Sequence, residues 1–241
     1  MAVADLNPNL ADYYFTPWQD FLDSDFDWVQ GEHITMIGTT GQGKTTLELQ
    51  FVAQRKYWLF LSTKSIDETQ EELIPLGFRW ANRMSDVSLD LSDKWVINPG
   101  GLKKKETVSD MKLRQRPIYR EAIATAYHHG GWVLVIDEGR YICDYLGLKD
   151  EVTLAYLQGR SHKLSVVMGT QRPRYVPLES FDAATHLFFW RDNDLGNIDR
   201  VSELAGLRRM EVRDIVPRLE QYEMLYINTR TGLMVITKVD L

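Results

Sequence analysis

Eight consecutive residues, Gly38-Thr39-Thr40-Gly41-Gln42-Gly43-Lys44-Thr45, have the types and spacing needed to hold a chain of phosphates, and Thr46 adds a further hydroxyl. Glycines at 38, 41 and 43 let the backbone turn its N–H groups inward around anionic oxygens. Lys44 would reach the β- and γ-phosphates, and the Thr45 hydroxyl would ligate Mg²⁺. A short apolar run, His33 to Ile37, precedes the loop, and Leu47 to Gln54 follow with helical spacing. Strand, glycine-rich loop and helix are the order such a phosphate site requires, with the helix N-terminus adding partial positive charge. A chance glycine-rich turn would not carry both flanks. The ligand expected is a nucleoside triphosphate, ATP, with Mg²⁺.

A second set of chemical groups follows Val133-Leu134-Val135-Ile136. Four apolar residues end in Asp137-Glu138, which places two carboxylates at a strand's C-terminal end. The first suits the metal side of a phosphate site, and the second suits a general base that polarises water. A third feature is Gly169-Thr170-Gln171-Arg172-Pro173, directly after another apolar run. Gln171 there would hydrogen-bond a γ-phosphate or the attacking water; read blandly, it caps a turn.

These groups need a sheet to gather them. Apolar runs of strand length occur at Tyr57–Leu61, Lys94–Asn98, Trp132–Ile136, Leu164–Met168 and His186–Trp190, and residues 223–241 read as two strands joined at Thr229–Gly232. Helical segments are expected at about Pro117–His129, closed by Gly130 and Gly131, and at about Val152–His162. Alternating strands and helices predict an α/β domain, a mainly parallel sheet with helices on both faces and a C-terminal antiparallel hairpin. Residues 31–241 make up this domain. Residues 1–30 form a separate acidic and aromatic segment, in which Thr16-Pro17-Trp18-Gln19 has the form of a capping box. Its aromatics either fold back over the domain or dock on a partner.

The composition is that of a globular chain, with 44% hydrophobic and 26% charged residues among 241. A net charge of −6 argues against a generally basic, nucleic-acid-coating surface, while leaving room for a local basic patch or a positive pore. With Cys143 as the single cysteine no intrachain disulfide can form, and a cytoplasmic location is expected. No apolar run approaches the roughly 20 residues of a membrane span.

Taken together, the phosphate loop, Val135-Ile136-Asp137-Glu138, Gly159-Arg160 and Gly169-Thr170-Gln171-Arg172-Pro173 resemble the FtsK–HerA superfamily of DNA-pumping ATPases over residues 33–191. The resemblance implies a RecA/ASCE-like P-loop fold and a homo-oligomeric ring, pentamer or hexamer, with double-stranded DNA in a central channel. At this length the chain is most similar to minimal viral or phage packaging ATPases, which implies a capsid portal or vertex protein as a docking partner and the host cytoplasm or virion vertex as location. It further implies that Asp137 supports the metal, Glu138 activates water, and Gln171 senses the γ-phosphate. Arg160 would act in trans on the next subunit's nucleotide, with Arg172, Arg174 and Arg140 as competitors for that role. Thr63-Lys64-Ser65 only loosely echoes the Asp-Pro-Lys turn of the superfamily. A ring motor needs channel loops. The basic candidate is Lys103-Lys104-Lys105, expected to be flexible after Gly100 and Gly101 and extended by Lys112, Arg114 and Arg116; Arg208 and Arg209 form a weaker one.

Three other readings share parts of this pattern. A small-molecule kinase would use the phosphate loop but not the acidic pair. A guanine-nucleotide switch would explain Thr237-Lys238-Val239-Asp240, although that tetrapeptide lies at the extreme C-terminus. Conjugation, secretion or phage-assembly motors would keep the ring and change the cargo.

Overall fold

The computed structural model describes residues 13–63, 72–204 and 209–239. Lys64, Ser65, Arg208 and Asp240, each named above, lie outside the described residues. Among the described residues the chain builds one nine-stranded sheet in the order β3-β4-β2-β5-β6-β1-β7-β8-β9. These are β1 (Ile34–Ile37), β2 (Trp58–Leu61), β3 (Arg79–Ala81), β4 (Lys94–Ile97), β5 (Val133–Ile136), β6 (Ser165–Thr170), β7 (His186–Trp190), β8 (Glu223–Asn228) and β9 (Met234–Lys238). Every pairing from β3 to β7 is parallel, and β8 and β9 add antiparallel partners at the far side. The expected α/β class, mainly parallel sheet and terminal hairpin are therefore present.

The strands read as continuous apolar runs because both faces are covered. Side chains alternate between two cores. Leu134, Ile136, Val166, Met168, Leu187 and Phe189 point to one, while Val133, Val135, Val167, Phe188 and Trp190 point to the other. The first core is closed by α3 (Val108–His129), α4 (Lys149–Gln158), α5 (Glu179–Asp182), α6 (Leu195–Leu204) and α7 (Arg209–Ile215). The second is closed by α2 (Lys44–Gln50) and by the N-terminal aromatics around α1 (Trp18–Asp20). Trp18, Phe21, Phe26 and Trp28 are all buried, and Phe21 lies edge-on to Tyr226 at 4.8 Å between centroids. Each such side chain contributes about 1.5–3 kcal/mol through burial. These aromatics belong to the core beneath the sheet rather than to an open docking surface.

Three local expectations change. The Thr16–Gln19 capping box does not form: Pro17 occupies the N-cap, Thr16 Oγ1 instead donates to Asp25 Oδ2 at 3.1 Å, and α1 passes into a π-helical turn, Phe21–Asp25. Helix α3 starts well before Pro117. Thr107 and Asp110 cap it reciprocally, through Asp110 N to Thr107 Oγ1 at 3.2 Å and Thr107 N to Asp110 Oδ2 at 3.1 Å. The helix continues through Pro117, whose missing amide leaves one helical hydrogen bond unmade, because its inner face packs on the first core through Tyr119, Ala122, Ile123 and Ala126. Strand β3 and helices α6 and α7 were not anticipated; β3 is only three residues long, too short for a periodic signal.

His33, just before β1, is buried against Tyr156 and accepts a hydrogen bond from Val166 N at Nδ1, 3.0 Å. Burial holds its pKa down at about 4 against an ordinary 6.5; the Arg160 charge adds to this and Glu32 opposes it. The unfolded chain therefore takes up this proton well before the folded one. The stability from a neutral His33 is complete above pH 6.5 and is lost as pH falls toward 4, with about 2 kcal/mol gone at pH 5. Urea unfolding at pH 8 and pH 5 should show that loss in the natural protein. His33→Asn, which keeps an acceptor for Val166 N, should lose that part of the difference; an unchanged difference would place the titration elsewhere.

Candidate active site

Residues 38–43 leave β1 and wrap into α2. Gly41 and Gly43 have φ of 78° and 99°, the left-handed region that glycine enters without strain. Gly38 meets a different demand: a Cβ there would lie 2.9 Å from Trp190 Cβ, so only glycine lets the loop leave β1 against this indole. Gly38 N donates to Thr170 O at 3.1 Å, tying the loop's first residue to the end of β6. Thr39, Thr40 and Gly41 stand exposed at the tip, while Gln42, Thr45 and Thr46 are half-buried. Lys44 Nζ donates to Gly38 O (2.6 Å) and Thr39 O (2.9 Å), so its ammonium spans the mouth of the loop. Residues 38–43 thus form a loop on the C-terminal edge of the parallel sheet, where open α/β sheets bind ligands.

Strand order brings the acids to this loop. β6 lies between β1 and β5, with Ile37 beside Thr170 and Ile136 beside Met168. Asp137, buried, and Glu138, half-buried, consequently emerge one strand away from Gln171. Gln171 Nε2 donates to Glu138 Oε2 at 3.1 Å. Burial raises the Glu138 pKa, and the neighbouring Asp137 charge raises it further, against the opposing influence of Lys44, the Arg140 amide and Gln171. A carboxylate with raised basicity, oriented by an amide and close enough to feel the loop lysine, is equipped to accept a proton from water. Gly169 is needed for this closeness: a Cβ there would stand 2.7 Å from Asp137 O.

Among the described residues no cluster of three His, Cys, Asp or Glu side chains could hold a metal by itself. A Mg²⁺ site of the phosphate-loop kind needs no such cluster, since phosphate oxygens and water complete its shell. The hydroxyl of Thr45 on the first turn of α2 and the buried carboxylate of Asp137 are hard oxygen donors, and they fit that role.

The sequence did not single out Glu48, whose side chain is buried on the inner face of α2. A Cβ at Gly169 would lie 3.5 Å from Glu48 Oε1, so this acid is beside the Asp137 strand end. Its signal was present: Glu48 falls in the apolar stripe of Leu47, Phe51 and Val52.

Arg160 is not brought to this edge. It sits exposed in the turn Gly159–His162 before β6, and a Cβ at Gly31 would lie 3.5 Å from its Cγ. Gly31 precedes β1, so Arg160 occupies the opposite edge of the sheet, about 20 Å from Gln171 by the rise of β6. Arg140, Arg172 and Arg174 do lie on the catalytic edge and are exposed. Arg140 and Arg174 both pack on the Tyr175 ring, at 4.4 and 4.7 Å from its centroid.

Lys103, Lys104 and Lys105 are exposed on the loop leaving β4, on the same edge as the phosphate loop but four strands away, about 19 Å. The expected flexibility of this loop is not what its bonding favours. Arg114 donates to Pro99 O, Gly101 O and the Glu106 carboxylate, and Gln115 Nε2 donates to Gly100 O at 2.8 Å. The loop is braced from beneath. Arg114 is consumed in that bracing, so it does not extend the basic patch; Lys112 packs over Tyr145, and Arg116 donates to Gly147 O. Arg209 is paired with Asp199 and Glu203, which removes most of its value as a free cation.

No protein-family model matches the chain, and no curated protein matches it. Solved structures do. The chain is similar to the genome packaging NTPase B204 from Sulfolobus turreted icosahedral virus 2 in complex with AMPPCP, with a TM-score of 0.62 and 17% identity over 88% of this chain and 100% of that one. It is similar to VirB4 of Thermoanaerobacter pseudethanolicus, with a TM-score of 0.63 and 12% identity over 87% and 89% of the two chains. The pCW3 conjugation coupling protein TcpA with bound ATPγS gives a TM-score of 0.51 and 14% identity over 87% of this chain and 60% of that one. At these identities what is shared is architecture, and the P-loop ATPase fold implied by the FtsK–HerA resemblance is the fold of this chain.

Proposed function

We propose that the chain is an ATP-hydrolysing subunit of a homo-oligomeric ring that drives double-stranded DNA through a central channel, packaging a viral genome into a capsid. The observation that carries hydrolysis is the hydrogen bond from Gln171 to Glu138 at a strand edge shared with the phosphate loop. A phosphotransferase can set a similar carboxylate on an acceptor hydroxyl, so product analysis separates the two: free phosphate without a phosphorylated acceptor is the expected result. Lys44 neutralises charge on the transferring phosphoryl group, Glu138 takes the proton of the attacking water, and Gln171 aligns that carboxylate. Thr45 and Asp137 would hold Mg²⁺, which would supply charge neutralisation at the phosphate oxygens. Arg160, far from its own subunit's site, completes a neighbour's.

The DNA-packaging part of the reading is supported by the likeness to the genome packaging NTPase B204. A second reading has its own support in the likeness to the conjugation coupling protein TcpA: a ring ATPase serving conjugative transfer. No helix among the described residues is long and apolar enough to cross a membrane.

The test is the oligomer formed with a non-hydrolysable ATP analogue, with and without duplex DNA, alongside turnover under the same conditions. Ring assembly and duplex-stimulated hydrolysis are expected; a monomer indifferent to duplex would leave only a nucleotide-hydrolysing fold. Replacing Lys103, Lys104 and Lys105 with alanine should abolish most of the duplex stimulation and flatten its salt dependence, while ATP binding stays unchanged. Full stimulation in that variant would take the loop out of the DNA path.

A further inference from the structure

Strand order also decides which way a bound nucleotide runs. Glu138 and Gln171 follow β5 and β6, on one side of β1, so a terminal phosphate attacked by water there lies on that side. The other side of β1 belongs to β7 and β8, and the nucleoside end of the same molecule leaves the loop over them.

Two features mark that edge. Tyr222, immediately before β8, has a φ of 69°, a left-handed conformation that is costly for a bulky side chain. Its ring is partly exposed and lies against the loop: a Cβ at Gly43 would be 3.6 Å from Tyr222 Cδ1 and 3.9 Å from Trp190 Nε1 beneath. A cleft of ≈ 470 Å³ opens at the ends of the same two strands, lined by Arg191, Pro217, Arg218, Leu219 and Glu220. A glycine would occupy the Tyr222 position without strain, so the aromatic ring is held there against a local backbone penalty.

We propose that this edge is a nucleoside subsite, in which the Tyr222 ring stacks on the base of the bound triphosphate and the adjoining cleft accommodates base and ribose. The proposal rests on the reading of Gly38–Thr45 as a triphosphate loop and adds the contact that tells a nucleotide from a bare polyphosphate. A flat π face takes a base by stacking, independently of the hydrogen bonds that would choose among bases.

The experiment measures binding of ATP and of inorganic tripolyphosphate, both with Mg²⁺, to the full chain. Tyr222→Gly should weaken ATP about 5- to 100-fold, the range of a lost base–aromatic stack, while leaving tripolyphosphate unchanged. Glycine relieves the left-handed φ, which offsets part of the stability lost with the ring's packing and with a freer unfolded chain, and unchanged tripolyphosphate binding excludes unfolding as the cause. Tyr222→Phe should retain ATP affinity. Unchanged ATP affinity in Tyr222→Gly, or a parallel loss for tripolyphosphate, would overturn the subsite. Lys44→Ala serves as the separate control: if it still bound tripolyphosphate normally, the triphosphate-loop reading would fail whatever Tyr222 does.

Discussion

Glu138→Gln is expected to bind ATP with near-natural affinity, to assemble, and to hydrolyse at least about 10³-fold more slowly, the upper part of what a positioned base supplies. The substitution keeps shape and hydrogen-bonding reach, so Gln171 retains a partner and the packing around Asp137 is undisturbed. What it removes is the proton acceptor. The direction of the Glu138 shift adds a pH signature. Burial and the Asp137 charge raise its pKa, so the base stays protonated to a higher pH than an ordinary carboxylate would. Turnover of the natural protein should therefore fall as pH drops through that raised value, and the residual turnover of Glu138→Gln should lack this acid limb. Single-turnover hydrolysis across pH 5 to 8 reads both effects together. Hydrolysis near the natural rate would move the base to another group, with Glu48 the first alternative because its carboxylate lies beside the Asp137 strand end.

Arg160→Ala should cost nearly as much, about 10³-fold or more in turnover if it supplies the cationic group of a neighbour's site. The FtsK–HerA resemblance implies a role across a subunit boundary, and the position of Arg160 excludes action on its own subunit's nucleotide. It stands on the edge of the sheet opposite Glu138, and an arginine side chain cannot bridge the length of β6. A mixing experiment separates this from a local structural effect. Arg160→Ala subunits carry an intact base, and Glu138→Gln subunits carry an intact arginine. Combined in a ring with head-to-tail contacts, they create interfaces in which both are present. Each variant alone should be nearly inactive, and the mixture should regain hydrolysis. A mixture that stays inactive would turn attention to Arg140, Arg172 and Arg174, which already share the catalytic edge.

Much of this site was legible in the chain because its parts are local. Glycines 41 and 43 carry their left-handed conformations with them, and Gly38 to Thr45 forms its loop through residues adjacent in sequence. Asp137 and Glu138 announce themselves by following a strand buried on both faces. Other features were harder to see. The Thr107–Asp110 box that starts α3 is short-range, yet Pro117 inside the helix has the form of a first helical residue. Arg114 reads in the sequence as part of a basic surface and is instead the brace of a loop, because the path of the chain brings it the Pro99 and Gly101 carbonyls together with the Glu106 carboxylate.

What the amino-acid order determined unaided was the phosphate loop, the apolar strands and the acidic pair, each a matter of local backbone preference and burial pattern. The tertiary structure alone decided that β6 lies between β1 and β5, that Gln171 therefore meets Glu138, that Arg160 faces the other way, and that Tyr222 rests on the loop. The physical reason is that several equally apolar strands can pair in many orders. Only the packing of helices on both faces, summed over the whole domain, selects the one that brings these distant side chains together.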